Sequence, residues 1–294
     1  MYAVVGANGY LGSYVIKAIL GLTNQNVIAT ARDLSRVNPD NRVEWVACDV
    51  QDDASVDALL EKLKREERVK IVYLAAYHNP DNVEKNKELA WDINVTCLSK
   101  FLNKATFAEK IYYASTDSVY GESVNGYRFK ESDPLTPVNF YGHNKGAAEA
   151  LLIHRGRNVV RFPFLISPSI IYKPHFYDVI VENIRSGKPF EMFADSYRSS
   201  LSFENAGKLW INLMERENIP QIVNICGDRD LSKYDVGLMI ADREGVSEDL
   251  IIPISVSQPK ENFETRRAAS TLMDNTLLKT ILGLREIDIF SEPR

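Results

Sequence analysis

An apolar strand, a glycine-rich turn and a helix follow one another at the start of this chain with no spare residues. Met1-Tyr2-Ala3-Val4-Val5 runs into Gly6-Ala7-Asn8-Gly9-Tyr10-Leu11-Gly12. Ser13-Tyr14-Val15-Ile16-Lys17-Ala18-Ile19-Leu20 then places apolar residues at helical spacing. That context is what a dinucleotide-binding turn requires. Gly6 lets the chain turn sharply, Gly9 lets the backbone approach a pyrophosphate, and Gly12 lets the helix pack close on the strand. The free N–H groups of the helix start, with its dipole, then face the phosphates. The alternative is a glycine loop that binds nothing, and the placement between strand and helix argues against it.

The rest of the chain repeats strand and helix. Asn26–Thr30 reads as strand two, Val43–Val50 as strand three, Lys70–Ala76 as strand four and Lys110–Ala114 as strand five. Helical spacing covers residues 54–67 and Glu88–Leu102. This alternation predicts an α/β fold, a doubly wound parallel sheet covered on both faces. Ligands of such sheets bind at the carboxyl ends of the strands. Ala75-Ala76, Ser115-Thr116 and the glycine turn all converge there. Residues 121–139 read as a surface loop, Val159–Phe164 as strand six, Phe203–Glu215 as a helix and Gln221–Gly227 as a returning strand. The expected division is a dinucleotide-binding domain over 1–162, its sheet completed by about 203–227. Residues 163–202 and 228–294 would form a smaller C-terminal substrate-binding lobe, with Ser232 capping a helix from Lys233.

Composition excludes several partners. Thirty-five Lys and Arg stand against forty Asp and Glu, a net charge of −5, and no basic run is long enough to suggest nucleic acid. No stretch of about 20 apolar residues predicts a membrane span. The chain opens on a strand, not on a charged segment followed by an apolar signal. Cys48, Cys97 and Cys226 have no metal-type spacing and read as buried thiols of a reducing, cytoplasmic setting. His143, His154 and His175 show no metal spacing and read as structural or solvated.

Two places bear on cofactor and chemistry. The end of strand two is where the adenosine ribose is read. Arg32 comes first after it, with Arg36 one helical turn on, and a guanidinium there would pair bidentately with a 2′-phosphate. That favours NADP, while Asp33 keeps NAD open. Asp49, ending strand three, would sit beside the adenine or cap the next helix, with Ser55 a later candidate. Tyr141 and Lys145, at i and i+4 of the helix from Tyr141, share one face. A phenol titrates near pKa 10, and a nearby ammonium favours the phenolate and lowers that value.

GANGYLG at 6–12, STDSVYG at 115–121 and YGHNK at 141–145 stand in the order and spacing of the extended short-chain dehydrogenase/reductases, which the chain resembles. Within that superfamily it most resembles dTDP-4-dehydrorhamnose reductases and their epimerase relatives. AAYHNPDNVEKNKELAWDIN at 75–94 and RRAASTLMDNTLLKTILGL at 266–284 carry that likeness. Three features depart from it: Phe164 where those reductases usually show a substrate-facing Trp, Ser118-Val119-Tyr120-Gly121 in epimerase style, and Arg266-Arg267 in place of Arg-Pro.

The resemblance implies Tyr141 as general acid, Lys145 as the ribose-binding cation and Thr116 as the hydroxyl that positions the carbonyl. It implies cofactor contacts from Gly6, Asn8, Gly9, Tyr10, Leu11, Gly12, Arg32, Asp49, Val50, Leu74, Ala75, Ala76, Asn94, Tyr141, Lys145 and Phe164. Asn94 would order the active-site backbone. Tyr77, Thr116, Asp117, Phe164 and Arg198 would meet the substrate, Arg198 through a phosphate. The implied function is NADP-dependent reduction of a keto group on a nucleotide-linked sugar. The alternatives are an epimerase or dehydratase with retained cofactor, or a non-catalytic, cofactor-binding regulatory subunit. A homodimer stays open, and no metal is expected.

Overall fold

The computed structural model describes residues 1–256 and 265–294. The first half alternates strand and helix: β1 (Tyr2–Val5), α1 (Tyr10–Leu22), β2 (Val27–Ala31), β3 (Val43–Ala47), α2 (Asp53–Leu63) and β4 (Lys70–Tyr73). Next come α3 (Pro80–Lys85), α4 (Lys87–Trp91), a π-helical turn (Asp92–Cys97), α5 (Leu98–Lys104) and β5 (Lys110–Thr116). After β6 (Arg128–Phe129) follow α6 (Phe140–His154), β7 (Asn158–Phe162), α7 (Phe176–Arg185), β8 (Phe190–Phe193) and β9 (Tyr197–Arg198). The chain closes with α8 (Phe203–Met214), β10 (Ile222–Asn224), β11 (Leu231–Ser232), α9 (Lys233–Glu244), β12 (Ile251–Ile254), β13 (Leu272–Met273) and α10 (Thr276–Leu282).

Seven strands form one parallel sheet in the order β10-β7-β5-β4-β1-β2-β3. The order reverses between β1 and β4, so a crevice opens there at the carboxyl ends of the strands. The expected doubly wound sheet is therefore present. Its strands are short apolar runs because both faces are covered. Val15, Ile19 and Trp210 of α1 and α8 pack on one face. Leu59, Leu63, Phe101 and Leu152 of α2, α5 and α6 pack on the other. A third core, built on Ile180, Met192, Ile240 and Ile251, holds α7 and α9 against the paired strands β8 and β12.

Several local expectations need correction. The helix read through Glu88–Leu102 is broken into α4, the π turn and α5, with α3 ahead of it. Asn79 caps α3 and accepts from the backbone of Asp81 and Asn82, and Asn86 interrupts helical geometry before α4. Neither Asp49 nor Ser55 caps α2: Asp52 does, accepting from Ala54 N, while Ser55 Oγ accepts from Asp49 N at 3.0 Å. No helix follows β2, so Arg36 lies in a loop and not a turn on from Arg32. The 121–139 loop carries the short strand β6, which pairs with β13. The three cysteines are buried and free. No helix among the described residues is long and apolar enough to cross a membrane.

Candidate active site

The glycine turn is built as its spacing requires. Gly6 follows β1 with φ +80, and a Cβ there would lie 2.8 Å from Ala75 N. A Cβ on Gly12 would lie 2.4 Å from the Ala7 carbonyl oxygen, so only glycine lets α1 approach the turn. Gly9 meets only the Gly6 carbonyl, at 3.9 Å, and its missing side chain opens into a cleft instead. No side chain caps α1 at Gly9 and its first turn holds no acidic residue. The first N–H groups are thus left for an anion, which fits a dinucleotide pyrophosphate. Gly6, Asn8, Gly9, Tyr10, Leu11 and Gly12 line this cleft of about 1190 Å³ with Arg32, Leu74 and Ala76.

Thr116, Tyr141 and Lys145 line the same cleft. Thr116 ends β5, and Asn139 starts α6 by accepting from Gly142 N at 2.9 Å. Lys145 is buried, donates to the Ala114 carbonyl and lies 4.0 Å over the Tyr113 ring. Desolvation pushes its pKa down to about 7, against an opposing pull from Glu149. Tyr141 contradicts the expectation of a lowered phenol. Burial raises its pKa well above 10, and the Asp117 carboxyl adds to the rise, opposed only by the Thr116 hydroxyl. Lys145 is too desolvated to stand as the fixed charge that would favour a phenolate. Thr116 Oγ1 donates to Asp117 Oδ1 at 3.0 Å. Burial raises the Asp117 carboxyl, with Arg198 as the main opposing charge, 3.4 Å away.

Behind these groups lies a buried ion pair. Arg161 of β7 reaches Glu149 of α6 at 2.6 and 3.0 Å and also donates to Tyr120 OH at 2.6 Å. Tyr120 OH donates in turn to Asn224 Oδ1 at 2.8 Å. Ser115, the neighbour of Thr116, donates to Glu149. Glu149 lies one helical turn beyond Lys145, so one network ties α6, β5 and β7 together under the site.

Other expected residues divide into three groups. Phe164, Asp117 and Arg198 line the cleft. Arg198, however, donates to the Ala268 and Ala269 carbonyls at 2.7 and 2.8 Å and faces Asp117, so its donors are in use. Ala75, Tyr77 and Asn94 do not line the cleft, although Leu74, Ala76 and His78, beside the first two in the chain, do. Asn94 sits in the π turn, where the widened helix lets its side chain grip the Tyr77 backbone at 2.7 and 3.0 Å. Asp49 and Val50 lie off the cleft, and Asp49 closes a local turn by accepting from Gln51 N at 3.0 Å. Asp33 is likewise turned onto Ser35, at 2.8 Å, away from the cleft that Arg32 lines.

The RmlD substrate binding domain profile matches residues 2–288. The chain belongs to this family. Methionine adenosyltransferase 2 subunit beta of Danio rerio is 25% identical over 259 residues, covering 86% of this chain and 76% of that protein. The dTDP-4-dehydrorhamnose reductase of Bacillus anthracis str. Ames, solved in complex with NADP, has a TM-score of 0.76 at 19% identity. It covers 95% of this chain and 92% of its own. UDP-glucuronic acid 4-epimerase of Bacillus cereus, solved with UDP-glucuronic acid and NAD, has a TM-score of 0.79 at 18% identity, over 98% and 94% of the two chains. At these identities the structural likeness shows a common fold.

The structure of this RmlD-family member adds cleft residues that sequence reasoning missed. Lys173 and His175 enter from a strap that crosses the glycine turn. Tyr14 OH donates to Pro168 O at 2.9 Å, Asn38 Nδ2 to Ile170 O at 2.8 Å and Tyr10 OH to Pro174 O at 2.7 Å. His78, Lys233 and Arg267 also line the cleft. None carries a local signal, because each arrives through a contact far along the chain.

Proposed function

We propose that this chain reduces a keto group on a nucleotide-linked sugar with a nicotinamide dinucleotide, NADP in preference to NAD. The observation that carries this reading is the convergence of Thr116, Tyr141 and Lys145 with the glycine turn in one cleft. The bound dinucleotide would supply a hydride to the carbonyl carbon. Tyr141 donates its phenolic proton to the oxygen as negative charge develops there. Burial keeps the phenol protonated, as a proton donor to the developing alkoxide must be. Thr116 turns its hydroxyl from Asp117 to that oxygen, a hydrogen bond that strengthens as charge builds. Lys145 holds ribose hydroxyls, and the anionic dinucleotide favours its charged form.

Incubation with NADPH and 4-keto nucleotide sugars, followed through absorbance of the reduced cofactor, tests the reaction class. Loss of NADPH in step with product is expected. Isomerised product without net loss would instead support an epimerase. A second reading, a non-catalytic subunit, draws on the name of the Danio rerio relative. Tight cofactor binding with no turnover of any nucleotide sugar would favour it.

Cofactor choice rests on Arg32, which is exposed at the cleft and makes no hydrogen bond or ion pair with other described residues. A charge-assisted contact to the 2′-phosphate corresponds to about ten- to a hundredfold in affinity. NADPH should therefore bind more tightly than NADH by that factor, and Arg32→Ala should erase the difference in a fluorescence titration. Equal affinities in the unmodified protein would exclude the preference.

A further inference from the structure

Three cations meet at the substrate end of the cleft, and two of them are matched. Arg198 faces Asp117 and two backbone carbonyls. Arg267 reaches Asp81 at 2.8 Å. Lys233 is the third. Ser232 and Asp235 cap α9 reciprocally, which fixes Lys233 at the first helical position. Its ammonium lies 5.4, 5.7 and 5.8 Å from the ring centroids of Phe164, Phe176 and Phe193. Among the described residues it has no hydrogen bond and no ion pair. Ring faces offset part of the cost of drawing a cation out of water, but they supply no counter-charge. Burial, with Arg267 and Arg198 nearby, pushes the Lys233 pKa down to about 8, and an anion in contact would oppose that shift.

The position says which part of a ligand that anion belongs to. Arg198, whose charge acts on Lys233, pairs with Asp117, the residue next to Thr116. Phe164 follows β7, the sheet neighbour of β5, by two residues. Lys233 therefore faces the reacting end of the cleft. We propose that Lys233 binds a carboxylate carried by the sugar itself, so that this cleft takes an acidic nucleotide sugar. The inference rests on the nucleotide-sugar reading and narrows its substrate class.

Calorimetric titration of the NADP-loaded protein with UDP-glucuronic acid and UDP-glucose tests it. The acid should bind about tenfold or more tightly than the neutral sugar, the size of one charge-assisted hydrogen bond. Lys233→Met, which keeps the apolar stem among the phenylalanines, should abolish that preference and leave UDP-glucose affinity nearly unchanged. Lys233→Arg should retain it. Equal affinities in the unmodified protein, or a preference that survives Lys233→Met, would overturn the proposal. A parallel loss for both ligands would also overturn it, by assigning Lys233 to the diphosphate. In each of these cases the nucleotide-sugar reading stands. Binding of neither ligand, nor of dTDP-glucose, would remove that reading and this proposal together.

Discussion

Tyr141→Phe is expected to lower turnover by about 10²–10⁴-fold, the usual contribution of a positioned general acid. The substitution removes one oxygen and keeps the ring between α6 and the cleft, so fold and cofactor affinity should stay close to those of the unmodified protein. What disappears is the proton for the developing alkoxide. Lys145→Ala should behave differently. It removes a buried group that donates to Ala114 and packs on the Tyr113 ring, and it takes away the proposed ribose ligand. Cofactor affinity should fall along with rate. Single-turnover rates and NADPH dissociation constants of both variants separate the two roles. If Tyr141→Phe kept more than about a tenth of the activity, less than a general acid contributes, Tyr141 would be only a helix residue. The placement of chemistry in this cleft would then be wrong.

Arg161→Met is expected to cost about 3–5 kcal/mol of stability, because it leaves Glu149 in the interior without its guanidinium, with only the Ser115 hydroxyl donating to it. Both side chains are almost wholly enclosed, at 2% and 0% exposure, so water cannot replace the lost partner. Bidentate geometry satisfies the pair in the native protein, and Tyr120 and Ser115 take up further donors and acceptors. The physical test is the double variant. Glu149→Gln with Arg161→Met removes both charges and should recover most of the loss, since no buried ion then lacks a partner. Urea unfolding of the single and double variants measures this. A single variant within about 1 kcal/mol of the unmodified protein would mean that water or local rearrangement reaches Glu149. A double variant no better than the single one would place the loss in packing and not in charge. Because Glu149 also holds Ser115, the residue before Thr116, the single variant should lose activity as well.

Much of the framework was legible because it is local. Strand, glycine turn and helix at 2–22 need only residues within one turn of each other, and the close contact of Gly12 with Ala7 follows from that path, whereas Gly6 meets Ala75 after β4, a contact made only in the folded sheet. The positions of Thr116, Tyr141 and Lys145 were legible for a similar reason. A strand end and a helical i, i+4 pair place them at the carboxyl edge of the sheet. Boundaries were less legible. Asp52 was not the expected cap, and the π turn replaced regular helix around Asn94, where the Tyr77 backbone competes for the side chain.

What the sequence by itself determined is the doubly wound sheet, the turn that opens it and the identity of the groups at its carboxyl edge. These follow from period, turn chemistry and capping, which act over a few residues. Only the tertiary structure decided the electrostatics of those groups. Tyr141 is raised and not lowered because desolvation and Asp117 outweigh the Thr116 hydroxyl, while Lys145 is itself desolvated. The Arg161–Glu149 pair joins a strand to a helix, and the Lys233 cage gathers residues 164, 176, 193 and 233 from four separate elements or loops. Desolvation and charge pairing depend on everything within several ångströms, whatever its distance along the chain, and no local pattern encodes them.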